Sequence, residues 1–175
     1  MTPTRYSPAQ IALHWLSALL VLIIIALPYG SDLFGPLLGG TGGVFTLHKS
    51  LGITVLVLTV LRLLVRARQG VPNLLGAHSA LQQRAAKAGH ALLYLLLVLM
   101  PLTGILFGKR PLDLFWLVEI GPVAVSDSVR ELAKLFHVTA QYLLFAMILG
   151  HAGMALWHHH VHRDGVLRAM LPGRN

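Results

Sequence analysis

The sequence predicts an all-α integral membrane protein: a four-helix bundle with both termini on the cytoplasmic side. Three observations predict it. Four apolar stretches, each long enough to cross a bilayer, fill much of the 175 residues. Hydrophobic residues make up 55% of the chain and charged residues only 11%, against about 25% charged in ordinary soluble domains. The lysines and arginines crowd onto alternate loops, as topology demands of a multi-pass chain. The length suits one compact domain over residues 1–175.

The four stretches are Ile11–Tyr29, His48–Arg66, His90–Phe107 and Leu135–Trp157. A helix needs about 20 residues to span the hydrocarbon core. Such a segment must be helical, because lipid offers the backbone no hydrogen-bond partner. With their end signals the spans are expected at approximately 8–29, 46–67, 86–108 and 129–160. Ser7-Pro8-Ala9-Gln10 reads as an N-cap, a first-turn proline and a capping-box glutamine. Ser128-Val129-Arg130-Glu131 reads as a second capping box, so the fourth span starts outside the membrane and runs on to about His160. Pro101 and Gly104 predict a kink in the third span. Gly39 to Gly43 reads as a flexible turn; it lacks the lysine of a phosphate-binding loop.

One side of the membrane receives nine basic residues: Arg5, Arg62, Arg66, Arg68, Arg84, Lys87, Arg163, Arg168 and Arg174. Its only acid is Asp164. The other side has five bases (Lys49, Lys109, Arg110, Arg130, Lys134) and five acids. The basic side is therefore read as cytoplasmic and the balanced side as periplasmic, which suits a bacterial inner membrane. This sorting by side is unlike a nucleic-acid footprint. The absence of cysteine excludes disulfides, thiolate metal sites, iron–sulfur clusters and haem attached through CxxCH.

Histidine is abundant, with ten copies. His14, His48, His90, His137, His151 and His158 lie in or at the edges of the spans. Any one alone reads as an interfacial side chain bonded to a backbone carbonyl. Together they show a pattern. His14 and His151 share a depth near the cytoplasmic face; His48 and His137 share one near the periplasmic face. His137 and His151 are 14 residues apart, close to four helical turns, so they point the same way roughly 21 Å apart. Haem in a bundle is held between side chains of facing helices. The pairs His14/His151 and His48/His137 would hold two stacked, six-coordinate b-type haems, with these four histidines as ligands to iron. An isolated metal ion is the competing occupant, but zinc wants three or four ligands at one depth.

Gly52, four residues after His48, leaves room for a flat macrocycle, as do Gly150 and Gly153 beside His151; plain helix packing explains them equally. Arg5 or Arg62 is placed to meet haem propionates or, as Arg66 and Arg68 read, to mark topology. His90 reads as a hydrogen-bond donor to a propionate or to quinone. His158, seven residues after His151, stands on nearly the same face and is placed to exchange protons with a quinone. His159, His160 and His162 read as headgroup contacts, and His78 as a water-facing loop residue.

These residues resemble the bacterial cytochrome b561 family. The resemblance rests on His14-Trp15; His48-Lys49-Ser50-x-Gly52 with Arg62; Gly89-His90-x-x-x-Tyr94 with Pro101 and Gly104; and His137, His151, His158-His159, Arg163-Asp164-Gly165 and Arg168-Ala169-Met170. It covers nearly the whole chain. It implies a di-haem b electron carrier exchanging electrons with membrane quinone, such as ubiquinone or ubiquinol, and it supports the same four ligands. The expected function is transmembrane electron transfer, as a quinone-linked oxidoreductase where it oxidises a small periplasmic donor such as superoxide. Two alternatives stand beside it: the haem-bearing anchor subunit of a larger dehydrogenase or hydrogenase, and a histidine-based metal or proton transporter. A homo-oligomer or a larger complex is compatible with either electron-transfer reading.

Overall fold

The computed structural model describes residues 5–74 and 79–173. It contains the four expected spans as α1 (Pro8–Tyr29), α3 (Thr41–Gln69), α4 (Ala80–Phe107) and α5 (Asp127–Trp157). All four are long and apolar enough to cross a membrane. A short helix, α2 (Ser31–Leu38), lies between α1 and α3, and a two-stranded hairpin, β1 (Leu112–Leu114) and β2 (Val118–Ile120), lies between α4 and α5. Helix α1 packs on α3, α3 on α4, and α4 on α5. The ring of Tyr29 meets Phe145, and its hydroxyl donates to Gln141 Oε1 at 3.1 Å, joining α1 to α5.

The bundle is dressed for lipid. Leu19, Leu22, Leu143 and Leu149 are exposed, while the fully buried side chains are small: Ser17, Val44, Ser50, Val55 and Thr59. Small residues let transmembrane helices approach, since lipid supplies no hydrophobic drive between them. Buried hydroxyls are largely satisfied along their own helices: Ser17 Oγ donates to Leu13 O and Ser50 Oγ to Thr46 O.

Three end signals differ from the expectation. The Gly39–Gly43 stretch is not one flexible turn. Gly39 and Gly40 turn the chain at positive φ, but Gly42 and Gly43 belong to the first turn of α3. Gly43 is required there, because a Cβ would fall 1.6 Å from the Leu38 carbonyl oxygen. Helix α5 is capped by Ser126, whose side chain accepts from Val129 N, so Ser128 is already inside the helix and its box is not used. The α-helix of α5 also stops at Trp157, and His158–His162 continues as a π-helical turn. The Ser7/Gln10 box is formed as expected, and a second box, Ser79 with Gln82, opens α4 well before residue 86. His78 and Arg174 lie outside the described residues.

The balanced, hairpin-bearing end of the bundle is tied by two polar side chains. Arg130 donates to the carbonyls of Leu106 and Gly108, capping the end of α4, and to that of Val123 in the loop before α5. Ser50 Oγ accepts from Phe115 N at 2.8 Å. That bond holds a turn in which Phe115 and Trp116 both have positive φ, at 51° and 59°. Left-handed backbone costs a bulky residue roughly 1–2 kcal/mol.

Candidate functional site

Helix α5 presents His137 and His151 at two levels, and each meets the partner that depth alone assigned. The ring centres of His137 and His48 are 6.4 Å apart. Those of His151 and His14 are 6.1 Å apart. Thus α5 faces α3 at one level and α1 at the other.

At the hairpin-end level the rings are fixed by backbone. His48 Nδ1 donates to Ile24 O at 2.9 Å, and His137 Nδ1 donates to Met100 O at 2.8 Å. An imidazole held this way has its tautomer and orientation set, and Nε2 keeps its lone pair for a metal. Between the rings lies a cavity of about 310 Å³, lined by all four long helices. Gly52 lines it, and a Cβ there would meet nothing within 4 Å. Gly104 lines it differently: a Cβ there would sit 3.2 Å from His137 Cε1. The sequence points to Gly104 only as a kink; its closer role is to make room for the His137 ring. Lys49 also lines the cavity. Of the other hairpin-end cations, Arg130 is spent on carbonyls, and Lys109 lies 3.8 Å from Asp127.

The other level gathers three rings, because His90 on α4 comes within 5.3 Å of His151. His90 is therefore level with the pair and not apart from it. Its Nδ1 donates to Ala86 O at 2.7 Å. Arg62 Nη2 donates to His14 Nδ1 at 3.1 Å, and its guanidinium stands over the Tyr94 ring. A second, smaller cavity is lined by Tyr6, Gln10, Arg62, Arg66, Tyr94 and Met170. Arg66, expected only to mark topology, thus stands beside Arg62. Burial pushes the Tyr6 phenol above its ordinary pKa, against the pull of Arg66. Trp15 Nε1 donates to Met170 O at 2.6 Å, which docks the C-terminal segment on α1.

His158 lies where the α-helix widens into the π turn. There Asp164 Oδ2 accepts from His158 Nδ1 at 2.5 Å, both side chains being largely buried. The other carboxylate oxygen accepts from Val166 N. The sequence offers Asp164 only as one letter of a family motif, with no role attached. Its signal is charge: it is the one acid on the basic side. Among the described residues, no group of three or more histidines, cysteines or carboxylates is arranged to hold a metal ion.

Comparison with known proteins fits this geometry. The family "Prokaryotic cytochrome b561" matches residues 5–173. The chain belongs to the prokaryotic cytochrome b561 family. It is similar to "Cytochrome b561 homolog 2" of Escherichia coli K12, with 32% identity over 97% of this chain and 93% of that one. It is likewise similar to "Cytochrome b561 homolog 1" of the same organism, with 32% identity over 97% and 98%. A protein of Yersinia pestis named "Probable superoxide oxidase CybB" is 29% identical over 96% of each chain. This cytochrome b561 is thus a multi-pass membrane protein that binds haem b and serves transmembrane electron transfer. Its residues fit that cofactor. Two metal–imidazole bonds of about 2.0–2.1 Å and two ring half-widths of roughly 1.1 Å put the ring centres about 6 Å apart, close to the separation in both histidine pairs.

Proposed function

We propose that this cytochrome b561 holds two haem b groups, one between His48 and His137 and one between His14 and His151, and relays electrons between a small periplasmic donor and membrane quinone. The observation that carries the reading is the paired placement of four imidazoles at two levels, two of them from one helix. Haem b supplies a one-electron iron couple when bound, with its potential set by ligands and surroundings. With two imidazoles at each level, these residues would hold a haem whose chemistry is electron transfer and not binding of a ligand at the iron.

The surrounding residues divide the work. Backbone carbonyls of Ile24 and Met100 orient His48 and His137. Gly52 and Gly104 keep the space between the helices open. Arg62 and Arg66 supply cations for carboxylates beside the cytoplasmic site. His14 needs its Nδ1 proton to bind metal through Nε2, so Arg62 must release Nδ1 as it turns to an anionic partner. His90, with Nδ1 held by Ala86, offers Nε2 to a propionate or a quinone oxygen.

At the cytoplasmic end, His158 takes or gives the quinone proton at Nε2, and Asp164 fixes the required tautomer by accepting from Nδ1. At the periplasmic end, Lys49 beside the outer cavity draws an anionic donor. Superoxide fits that charge, and the Yersinia pestis relative carries such a name. The charge sorting along the chain supports cytoplasmic termini and placement in the bacterial inner membrane.

A reduced-minus-oxidised visible spectrum of the purified protein, with haem quantified per chain, tests the relay. Two low-spin b haems are expected, falling to one in His137→Ala and in His14→Ala. Two haems retained in both variants would remove these ligands from the scheme.

A further inference from the structure

The β1–β2 hairpin does not belong to the redox site, and its chemistry is unusual for a water-facing turn. Its register pairs Leu112 with Ile120 and Leu114 with Val118 on one face, and Asp113 with Glu119 on the other. The hairpin is therefore amphipathic. Its tip is Phe115-Trp116-Leu117, with Trp116 51% and Leu117 83% exposed. Val118 and Ile120 are exposed as well. Within this three-residue loop Leu117 N donates to Leu114 O, and such a turn with positive φ at both centres favours asparagine or glycine; here phenylalanine and tryptophan take those places.

Depth says what covers the tip. Ser50 on α3 grips the turn through Phe115 N. Lys49 and Arg66 stand 17 residues apart on the same helix, or about 26 Å, a little under the ~30 Å hydrocarbon core. Taken as the polar ends of the α3 span, they would bracket the membrane with Ser50 one residue inside the outer bracket. On that placement the turn lies at the boundary between headgroups and hydrocarbon, where tryptophan is enriched. Lys109 and Arg110, just before the hairpin, are exposed. A lone two-stranded hairpin is marginally stable in water; this one is held by packing of β1 on α3 and by the Ser50 hydroxyl, while Trp116, Leu117, Val118 and Ile120 stay exposed.

We propose that the Leu112–Ile120 hairpin is a lipid-seated element: its Phe115–Leu117 tip rests in the interfacial layer of the outer leaflet, with Lys109 and Arg110 at the water-facing edge of the headgroups. The bond to Ser50, two residues from His48, then links leaflet contact to the turn of α3 that carries the outer histidine.

The chain has no cysteine, so Leu117→Cys gives a single labelling site; Lys109→Cys is the water-level reference and Ile120→Cys a second apolar site. Each variant is purified with its haem, labelled with bimane, and placed in phosphatidylethanolamine–phosphatidylglycerol nanodiscs after its visible spectrum is matched to the parent. Lipid brominated high on the acyl chain should at least halve the fluorescence of the Leu117→Cys and Ile120→Cys labels and leave that of Lys109→Cys nearly unchanged, and aqueous iodide should do the reverse. Iodide quenching of the Leu117→Cys label equal to that of the Lys109→Cys label would overturn the proposal. So would protection of the Leu117→Cys label from both quenchers together with oxidative cross-linking of the unlabelled variant, which would assign the face to a second copy of the chain.

Discussion

Replacing Gly52 with leucine separates the cofactor's needs from the protein's. A Cβ at Gly52 meets no protein atom within 4 Å, and glycine in a helix interior is roughly 0.8–1 kcal/mol worse than alanine, with leucine ranked close behind alanine. The bare fold should therefore hold or become firmer. The position lines the outer cavity one turn beyond His48, so the new side chain enters the space that the outer haem would fill. Forcing extra side-chain volume into an occupied space typically costs about 1–3 kcal/mol, or roughly 5–150-fold in binding at 1.4 kcal/mol per tenfold. Haem per chain should fall toward one, with the loss confined to one spectral component. Thermal unfolding followed by helical circular dichroism, in protein prepared without haem, should show no loss of stability. Gly52→Ala should fall between the two. A Gly52→Leu protein with full haem content and unchanged midpoint potentials would show that this cavity is not the haem site.

Other perturbations reach the remaining parts. Gly104→Ala puts a Cβ 3.2 Å from His137 Cε1, so the ring must shift by a few tenths of an ångström against its bond to Met100 O. Redox titration should show a changed outer midpoint with both haems retained; an identical midpoint would remove Gly104 from the site. Arg62→Leu takes a cation from beside His14, which disfavours the reduced, less positive haem, so the inner midpoint should fall while haem content holds. Equal potentials in Arg62→Leu and parent would place the inner haem elsewhere. Asp164→Asn keeps the size but loses the acceptor charge on His158, so quinol oxidation should slow several-fold with an altered pH profile and an unchanged visible spectrum. His158→Gln should match it, and a normal rate in both would move proton exchange to another group.

The spans were legible because the bilayer leaves few choices. Length, hydropathy and two capping signals brought α1 to the right residues, and the other three spans missed only at their ends. The misses have physical causes. Gly42 and Gly43 look like a turn by propensity, yet close packing of α3 on the Leu38 carbonyl favours glycine inside the helix. Ser128 has Glu131 in place for a capping box, yet Ser126 caps the helix two residues earlier with a bond from Val129 N alone. The hairpin was invisible to pattern because its turn uses Phe115 and Trp116 in place of the usual turn formers, and a partner 65 residues away, Ser50, holds it.

The candidate site was legible to the degree that it follows helix periodicity. Fourteen residues on one helix fix two facings at once, so His137 and His151 announced two levels, and depth then chose His48 and His14. What periodicity does not carry is the second layer. The carbonyls of Ile24 and Met100 have no sequence signature, because every residue has one; only the backbone path brings them to Nδ1. Arg62 and His90 were named from sequence as neighbours of the haem, but that Arg62 meets His14 and His90 meets His151 depends on the angle between neighbouring helices. Asp164 lies between these cases. Its contact with His158 depends on the wider π turn, which no motif specified, but its charge was already anomalous on a side otherwise wholly basic. An acid retained where topology favours bases is a residue with a local partner, and here the partner is the one histidine placed for proton exchange.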